Sequence, residues 1–188
     1  MENILNSKFT SLECLAHYLG VLGSLAWSTA SGSLIRKLST IQKAAVRHVG
    51  KKLFLAHTEP VYKKLKILML DDLITLQRST FMFKNSMGRL PSPFSAVFTP
   101  LANFSRSRCY LLPKAKVVKL QNSPTYTLIN TWNKVHMAHK NIALLKNKHK
   151  NGTQIKHIEI FNSILTKYLL DNYKSKLKCY STYCKECR

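Results

Sequence analysis

IQKAAVRHVGKKLFLAHTEPVYKKLKILMLDDLITLQRSTFMFK, residues Ile41 to Lys84, decides the fold class. Its apolar residues recur at helical steps and are punctuated by helix signals, so it reads as the end of one helix and two more. Extended upstream, Leu34, Leu38, Ile41, Ala45 and Val49 step by four, three, four and four and share one face. Ser31 or Ser33 can cap the start of that helix, and Gly50 offers a stop. His57-Thr58-Glu59-Pro60 reads as the next start, with Thr58 as cap and Pro60 in the first turn, where its missing N–H costs nothing. Val61, Leu65 and Leu68 would form the inner face of that short helix. Asp71 and Asp72 open a third helix, along which Leu73, Leu76, Thr80 and Phe83 or Lys84 recur and which Gly88 ends.

Outward from this stretch the pattern stays helical. Leu12 to Trp27 reads as a buried helix, and Leu90 to Pro100, with three prolines, as a loop. Arg106 to Leu120 reads as a short extended segment or hairpin, because Pro113 and the β-branched Val117-Val118 argue against a helix. Tyr126 to His139 is expected to be helical, with Leu128, Trp132, Val135 and His139 on one side. Lys146 to Thr153 reads as a basic linker. Ile155, Ile158, Asn162, Leu165 and Leu169 step along a last helix, with Phe161 and Tyr168 beside them. The expected fold is mainly α: a basic helical domain with one short extended or hairpin segment and a frayed tail. Its expected regions are a helical 1–90, a Pro/Arg/Lys-rich 91–124, a helical 125–173 and a cysteine-containing tail 174–188. At 188 residues and 45% hydrophobic, the chain has room for one ordinary domain with a core.

Charge narrows the function. There are 30 Lys and Arg against 8 Asp and Glu, a net charge of +22. From Leu73 to Ile158 there is no carboxylate, while 14 Lys and Arg from Arg78 to Lys156 fill the interval. Such a surface repels itself unless a polyanion neutralises it, and each phosphate that does so releases a counterion. The other reading is a solvated basic face. Phe104, Tyr110, Tyr126 and Trp132 are interleaved with Arg106, Arg108, Lys114, Lys116 and Lys119, a pattern that suits single-stranded nucleic acid. The helical spacing of Trp132 assigns that residue to the core.

Catalytic chemistry is poorly provided for. Met69-Leu70-Asp71-Asp72-Leu73 imitates a polymerase metal box, but two-metal catalysis needs a third carboxylate from a separate upstream strand. Upstream of Asp71 stand only Glu2, Glu13 and Glu59, and the downstream spacing is that of a helix start. The seven histidines form no ligand constellation, and no GxGxxG, GxxxxGKS/T or GxSxG occurs. The five cysteines do not read as a disulfide framework. Cys179, Cys184 and Cys187 could offer three thiolates to zinc, with Cys109 or a histidine as fourth ligand, or form a free tail. No catalytic residue, metal or cofactor is expected.

The blocks, taken in order, resemble the region downstream of the polymerase in jockey-like, LINE-type non-LTR retrotransposon reverse transcriptases. Tyr18 to Trp27 is similar to that family's apolar segment ending in Trp, and Leu38, Ile41, Gln42, Lys43, Ala44, Val46 and Arg47 to its Leu-Gln-Lys helix. His57-Thr58-Glu59-Pro60 with Leu65, Leu68, Asp72 and Leu76-Gln77 resembles the block that follows. Phe81 to Lys84, Leu90-Pro91, Arg106, Leu112-Pro113-Lys114-Ala115-Lys116, Trp132-Asn133 and Lys167 to Tyr173 continue the series. Asn103 to Arg106 and Thr127 to Asn133 fit their blocks only in part, and Asn133 to Ile155 departs from the common ending. The resemblance implies a region that follows the polymerase thumb, with the catalytic palm and endonuclease upstream of it. It further implies a truncated copy without polymerase activity of its own.

The expected function is therefore RNA or DNA contact by the non-catalytic C-terminal part of a reverse transcriptase. The residues expected to carry it are Arg36, Lys37, Lys43, Arg47, Lys51, Lys52, Arg106, Arg108, Lys114, Lys116 and Lys119. The parent polymerase is an expected partner, a membrane or a small-molecule substrate is not, and the expected location is nuclear or cytoplasmic. Two alternatives stand beside it. One is a structural or interaction domain, or a decayed remnant without independent activity. The other is a small secreted basic protein, since Cys14 to Trp27 followed by Ser28-Thr29-Ala30 imitates a signal peptide. Against secretion, Glu2 and Glu13 oppose Lys8 in the leader, and His17 interrupts the apolar run.

Overall fold

The computed structural model describes residues 29–54, 56–99, 110–138 and 154–172. These are mainly α, as the periodicities require. In chain order the helices are α1 Gly32–Val49, α2 Glu59–Leu65, α3 Leu70–Ser86, α4 Ser92–Ser95, α5 Val118–Gln121, α6 Pro124–Ala138 and α7 Gln154–Asp171. The expected helix Leu12 to Trp27, His139, the linker 146–153 and the tail lie outside the described residues. The chain divides into two compact units. Among described residues, one holds Ala30–Leu73 and 165–172, and the other is drawn from Ile74–Ile164 and Thr29.

In the first unit, α1 does not bury the face its spacing suggests. Leu34, Leu38 and Ile41 are exposed, and the one buried side chain of the helix is Val46. Gln42, one turn before Val46, explains the rotation. Its Nε2 donates to the Leu68 carbonyl at 3.0 Å, and its Oε1 accepts from the Leu70 N–H at 2.9 Å. At about 100° per residue, the apolar stripe lies about a quarter turn round from the Gln42–Val46 face. Val61, Tyr62, Leu68 and Leu70 are also buried here. Tyr62 is absent from the expected inner face of α2, and Leu65, which is present in it, is only half-buried.

Three helix ends, those of α1, α2 and α3, follow one device. At α3, Arg89 N–H bonds the Lys84 carbonyl at 3.0 Å and Gly88 N–H the Asn85 carbonyl at 2.9 Å, with Gly88 left-handed at φ 68°. That is a Schellman stop, which favours glycine because it has no Cβ. α1 and α2 close in the same way, but with Lys51 (φ 50°) and Lys66 (φ 53°) at the left-handed position. Gly50 is therefore not needed for its backbone angle. A Cβ there would stand 2.5 Å from Val61 Cγ1 and 3.2 Å from the Val46 carbonyl, so the glycine permits close approach of α1 to α2. Ser31 and Thr58 do stand at the N-cap positions of α1 and α2, but neither side chain makes a capping bond. Ser31 Oγ pairs with Ser33 Oγ at 2.9 Å, and Thr58 is buried.

The second unit has an aromatic core. Phe83 stacks on Phe161 with centroids 4.4 Å apart, and Trp132 lies 6.2 Å from Phe161. Phe81, Phe98 and Tyr110 form an edge-to-face series at 6.1 to 6.3 Å. Leu128, Ile129, Trp132 and Val135 of α6 are buried, which extends the expected set by Ile129. Ser123 caps α6 by accepting from the Tyr126 N–H at 3.3 Å, and Pro124 follows it, so this helix begins before Tyr126. Along α3, burial falls on Leu70, Asp72, Ile74, Ser79, Thr80, Met82 and Asn85 rather than on Leu73, Leu76 and Phe83, which are half-buried. Thr80 Oγ1 lies 2.6 Å from Asn162 Oδ1 and 2.8 Å from the Leu76 carbonyl, which explains why two polar residues hold apolar positions.

Two expected irregular stretches contain short helices. Ser92–Ser95 interrupts the proline-rich loop. Val118–Gln121 forms a helical turn despite its β-branched start, because only Val117 needs to be extended (φ −110°, ψ 138°) for the turn to begin behind it. Residues 111–116 form neither helix nor strand, and the one bridge residue of the expected extended or hairpin segment, among the described residues, is Tyr110. The segment is tied down at Tyr110, whose N–H bonds Asn133 Oδ1 at 3.1 Å and whose carbonyl accepts from Asn133 Nδ2 at 3.0 Å.

Gln42 and Asn133 thus perform the same task in separate units, each satisfying one donor and one acceptor of a distant backbone. Gln42→Ala and Asn133→Ala should each cost about 1–3 kcal/mol in urea unfolding, since both strand backbone groups. Gly50→Ala should cost about 1–3 kcal/mol by overpacking against Val61. Lys51→Gly should instead gain about 0.5–1 kcal/mol by relieving the left-handed lysine.

Candidate nucleic-acid interface

Arg36, Lys43 and Arg47 recur at seven and four residues, which puts them on one flank of α1, opposite the exposed Leu34–Ile41 stripe. Arg36 and Lys37 are exposed, whereas Lys43 and Arg47 are half-buried. Arg47 has a structural task as well, because its Nε donates to the Ala56 carbonyl at 2.8 Å. Arg47 and His48 also occupy the last turn of α1, where the helix dipole favours cations. Lys51 and Lys52 follow directly and are exposed. The same unit carries Lys63, Lys64 and Lys66 at the end of α2, which the sequence reading passed over because it took that helix for its apolar face alone.

In the second unit, Lys114, Lys116 and Lys119 are all exposed on the segment from Leu111 to Leu120. The segment exposes Leu111, Leu112, Val117, Val118 and Leu120 as well, so it is an apolar arm carrying cations and not a purely charged strand. Arg106, Arg108, Phe104 and the cysteines Cys179, Cys184 and Cys187 lie outside the described residues. Arg78, counted in the basic run, is half-buried, and burial lowers the pKa of its guanidinium.

The aromatic pattern is corrected. Tyr110 is buried, lies 6.1 Å from Phe98, and accepts a bond from Asn85 Nδ2 at 3.1 Å, so it cannot serve as a surface stacking ring. Trp132 is core, as its spacing requires. The exposed rings among the described residues are Phe54 and Phe94, and Phe94 meets Phe81 edge-on at 6.2 Å. Phe54 escaped the sequence reading because it stands in no helical register.

Asp71 and Asp72 lie in the first turn of α3 and not in a hairpin. Among the described residues no group of three His, Cys, Asp or Glu side chains could hold a metal ion. No helix of the described residues is long and apolar enough to cross a membrane. No protein-family model, curated protein or solved structure gives a significant match to this chain.

Behind the basic flank sits a buried phenol. Tyr62 is fully buried, and its hydroxyl makes no hydrogen bond. Burial pushes its pKa well up; the nearby Glu59 carboxylate adds to the shift and the Arg47 guanidinium opposes it. Because the folded value is raised, its stabilising effect is complete below about pH 10, the unfolded value, and is lost as pH rises toward the folded one. Tyr62→Phe should therefore unfold with less alkaline loss of stability than the wild type above about pH 10. Urea midpoints at stepped pH check this, and parallel alkaline curves for the two proteins would exclude it.

Proposed function

We propose that this chain is the C-terminal, non-catalytic part of a LINE-type reverse transcriptase and that it contacts RNA or DNA through its basic surfaces, in the nucleus or cytoplasm. The observation that carries the reading is the exposure of Arg36, Lys37, Lys51 and Lys52 in one unit and of Lys114, Lys116 and Lys119 in the other. They lie in stretches without acids: no carboxylate occurs between Glu13 and Glu59 or between Asp72 and Glu159. Surface cations at this density favour a polyanion over a neutral ligand. The ordered blocks from Tyr18 to Tyr173 support the family assignment. Two of their polar residues, Gln42 and Asn133, also hold the backbone together, a reason for them that charge does not supply.

A second reading has its own observation. Leu34, Leu38 and Ile41 form an exposed apolar stripe on α1, which suits a protein partner such as the parent polymerase. That reading predicts binding to nucleic acid no tighter than a charge-matched control.

The test is binding to single-stranded RNA, duplex DNA and heparin over a salt series, beside an unfolded control of equal composition. With six phosphate contacts, affinity should fall roughly a thousandfold between about 50 and 200 mM salt, with little sequence preference. Equal binding by the folded chain and the control would reject organised nucleic-acid contact.

A further inference from the structure

We infer that Phe54 is a stacking platform for an unpaired base of single-stranded nucleic acid, with Lys51 and Lys52 as phosphate contacts. This rests on the nucleic-acid reading above and specifies the form of the polymer.

The turn that follows α1 displays two large apolar side chains that the fold does not use. Leu53 is 84% and Phe54 80% exposed. Single apolar residues on a surface are ordinary, but this adjacent pair stands on a backbone held at both ends by one residue. The Arg47 carbonyl accepts from the Lys52 N–H at 2.9 Å, and Arg47 Nε donates to the Ala56 carbonyl at 2.8 Å. Between those ties, the Ala56 N–H closes a turn on the Leu53 carbonyl at 3.0 Å, and Phe54 stands directly after Leu53 in it. A ring presented this way is pre-organised, so little entropy is lost when something covers it.

Charge selects the occupant. Arg36, Lys43 and Arg47 run along one flank of α1 over about 16 Å at 1.5 Å per residue, and the turn follows the end of that line. A line of cations leading to a ring fits a chain of phosphates that ends in a stacked base. Lipid headgroups would gain nothing from the linear order. A stack on Phe54 needs a base free of its neighbours, which a single strand offers and an intact duplex does not.

The experiment uses the full chain and a labelled oligouridylate or oligothymidylate in a salt series. Phe54→Ala should weaken binding about five- to a hundredfold. Its salt slope should stay unchanged, because no phosphate contact is lost. Phe54→Trp should retain affinity and Phe54→Leu should not. Lys51→Ala with Lys52→Ala should reduce the log–log slope by about 1.4, at about 0.7 per contact. Thermal unfolding of the Phe54 variants should match the wild type, since the ring is outside the core. If the wild type binds no better than its unfolded control, the nucleic-acid reading itself fails. If the wild type binds well and Phe54→Ala or Phe54→Leu binds equally well, the stacking platform alone is overturned. Loss of retention on phosphatidylserine vesicles by Phe54→Ala, with oligonucleotide affinity intact, would overturn it in favour of a lipid surface.

Discussion

A side-chain amide that closes on a distant backbone is the constraint on which each unit depends. Where a helical chain breaks, its peptide groups lose their internal partners, and a buried peptide left unpaired costs as much as a lost hydrogen bond. Gln42 answers this for the break before α3, pairing with both Leu68 and Leu70. Asn133 answers it for Tyr110, where the irregular segment after it begins. An amide suits both places because it carries a donor and an acceptor side by side, as a peptide does. Other features of the first unit follow from the Gln42 contact. It turns Val46 inward, leaves Leu34, Leu38 and Ile41 in water, and sets Arg36, Lys43 and Arg47 on the opposite flank.

The basic character of the chain and its architecture meet at Arg47. It belongs to the cationic flank, yet it also fixes the turn that displays Leu53 and Phe54. Lys51 is similar: it accepts a left-handed backbone angle that a glycine would take without strain. A lysine kept at such a position adds charge to the surface at some cost to the fold. Lys66 repeats the arrangement at the end of α2.

Much of the fold was legible in the sequence because helical periodicity and stop signals are local. Pro60, Gly88 and the Leu128–Trp132–Val135 series needed no tertiary information, and neither did the helix start at Asp71-Asp72. Faces were less legible than elements. The apolar stripe of α1 matches helical spacing, yet Leu34, Leu38 and Ile41 lie outside and Ala45 and Val49 are only half-buried, since periodicity locates a stripe but not what it meets. Val118–Gln121 was missed because β-branching disfavours a helix only weakly over so short a run. The surface cations could be named from composition, but Phe54 could not, because an exposed ring in a turn leaves no periodic mark.

By itself the sequence determined a mainly helical, strongly basic chain, the places of most helices, and the stretches without a carboxylate. These are properties of neighbouring residues and of sums. Only the tertiary structure decided that Gln42 and Asn133 are backbone partners and that Tyr110 is core. It alone showed Gly50 making room for Val61, Arg47 bonded to both Lys52 and Ala56, and Phe54 out in solvent. Each of these depends on groups far apart in the chain or on the direction a helix face takes, and no local pattern encodes either.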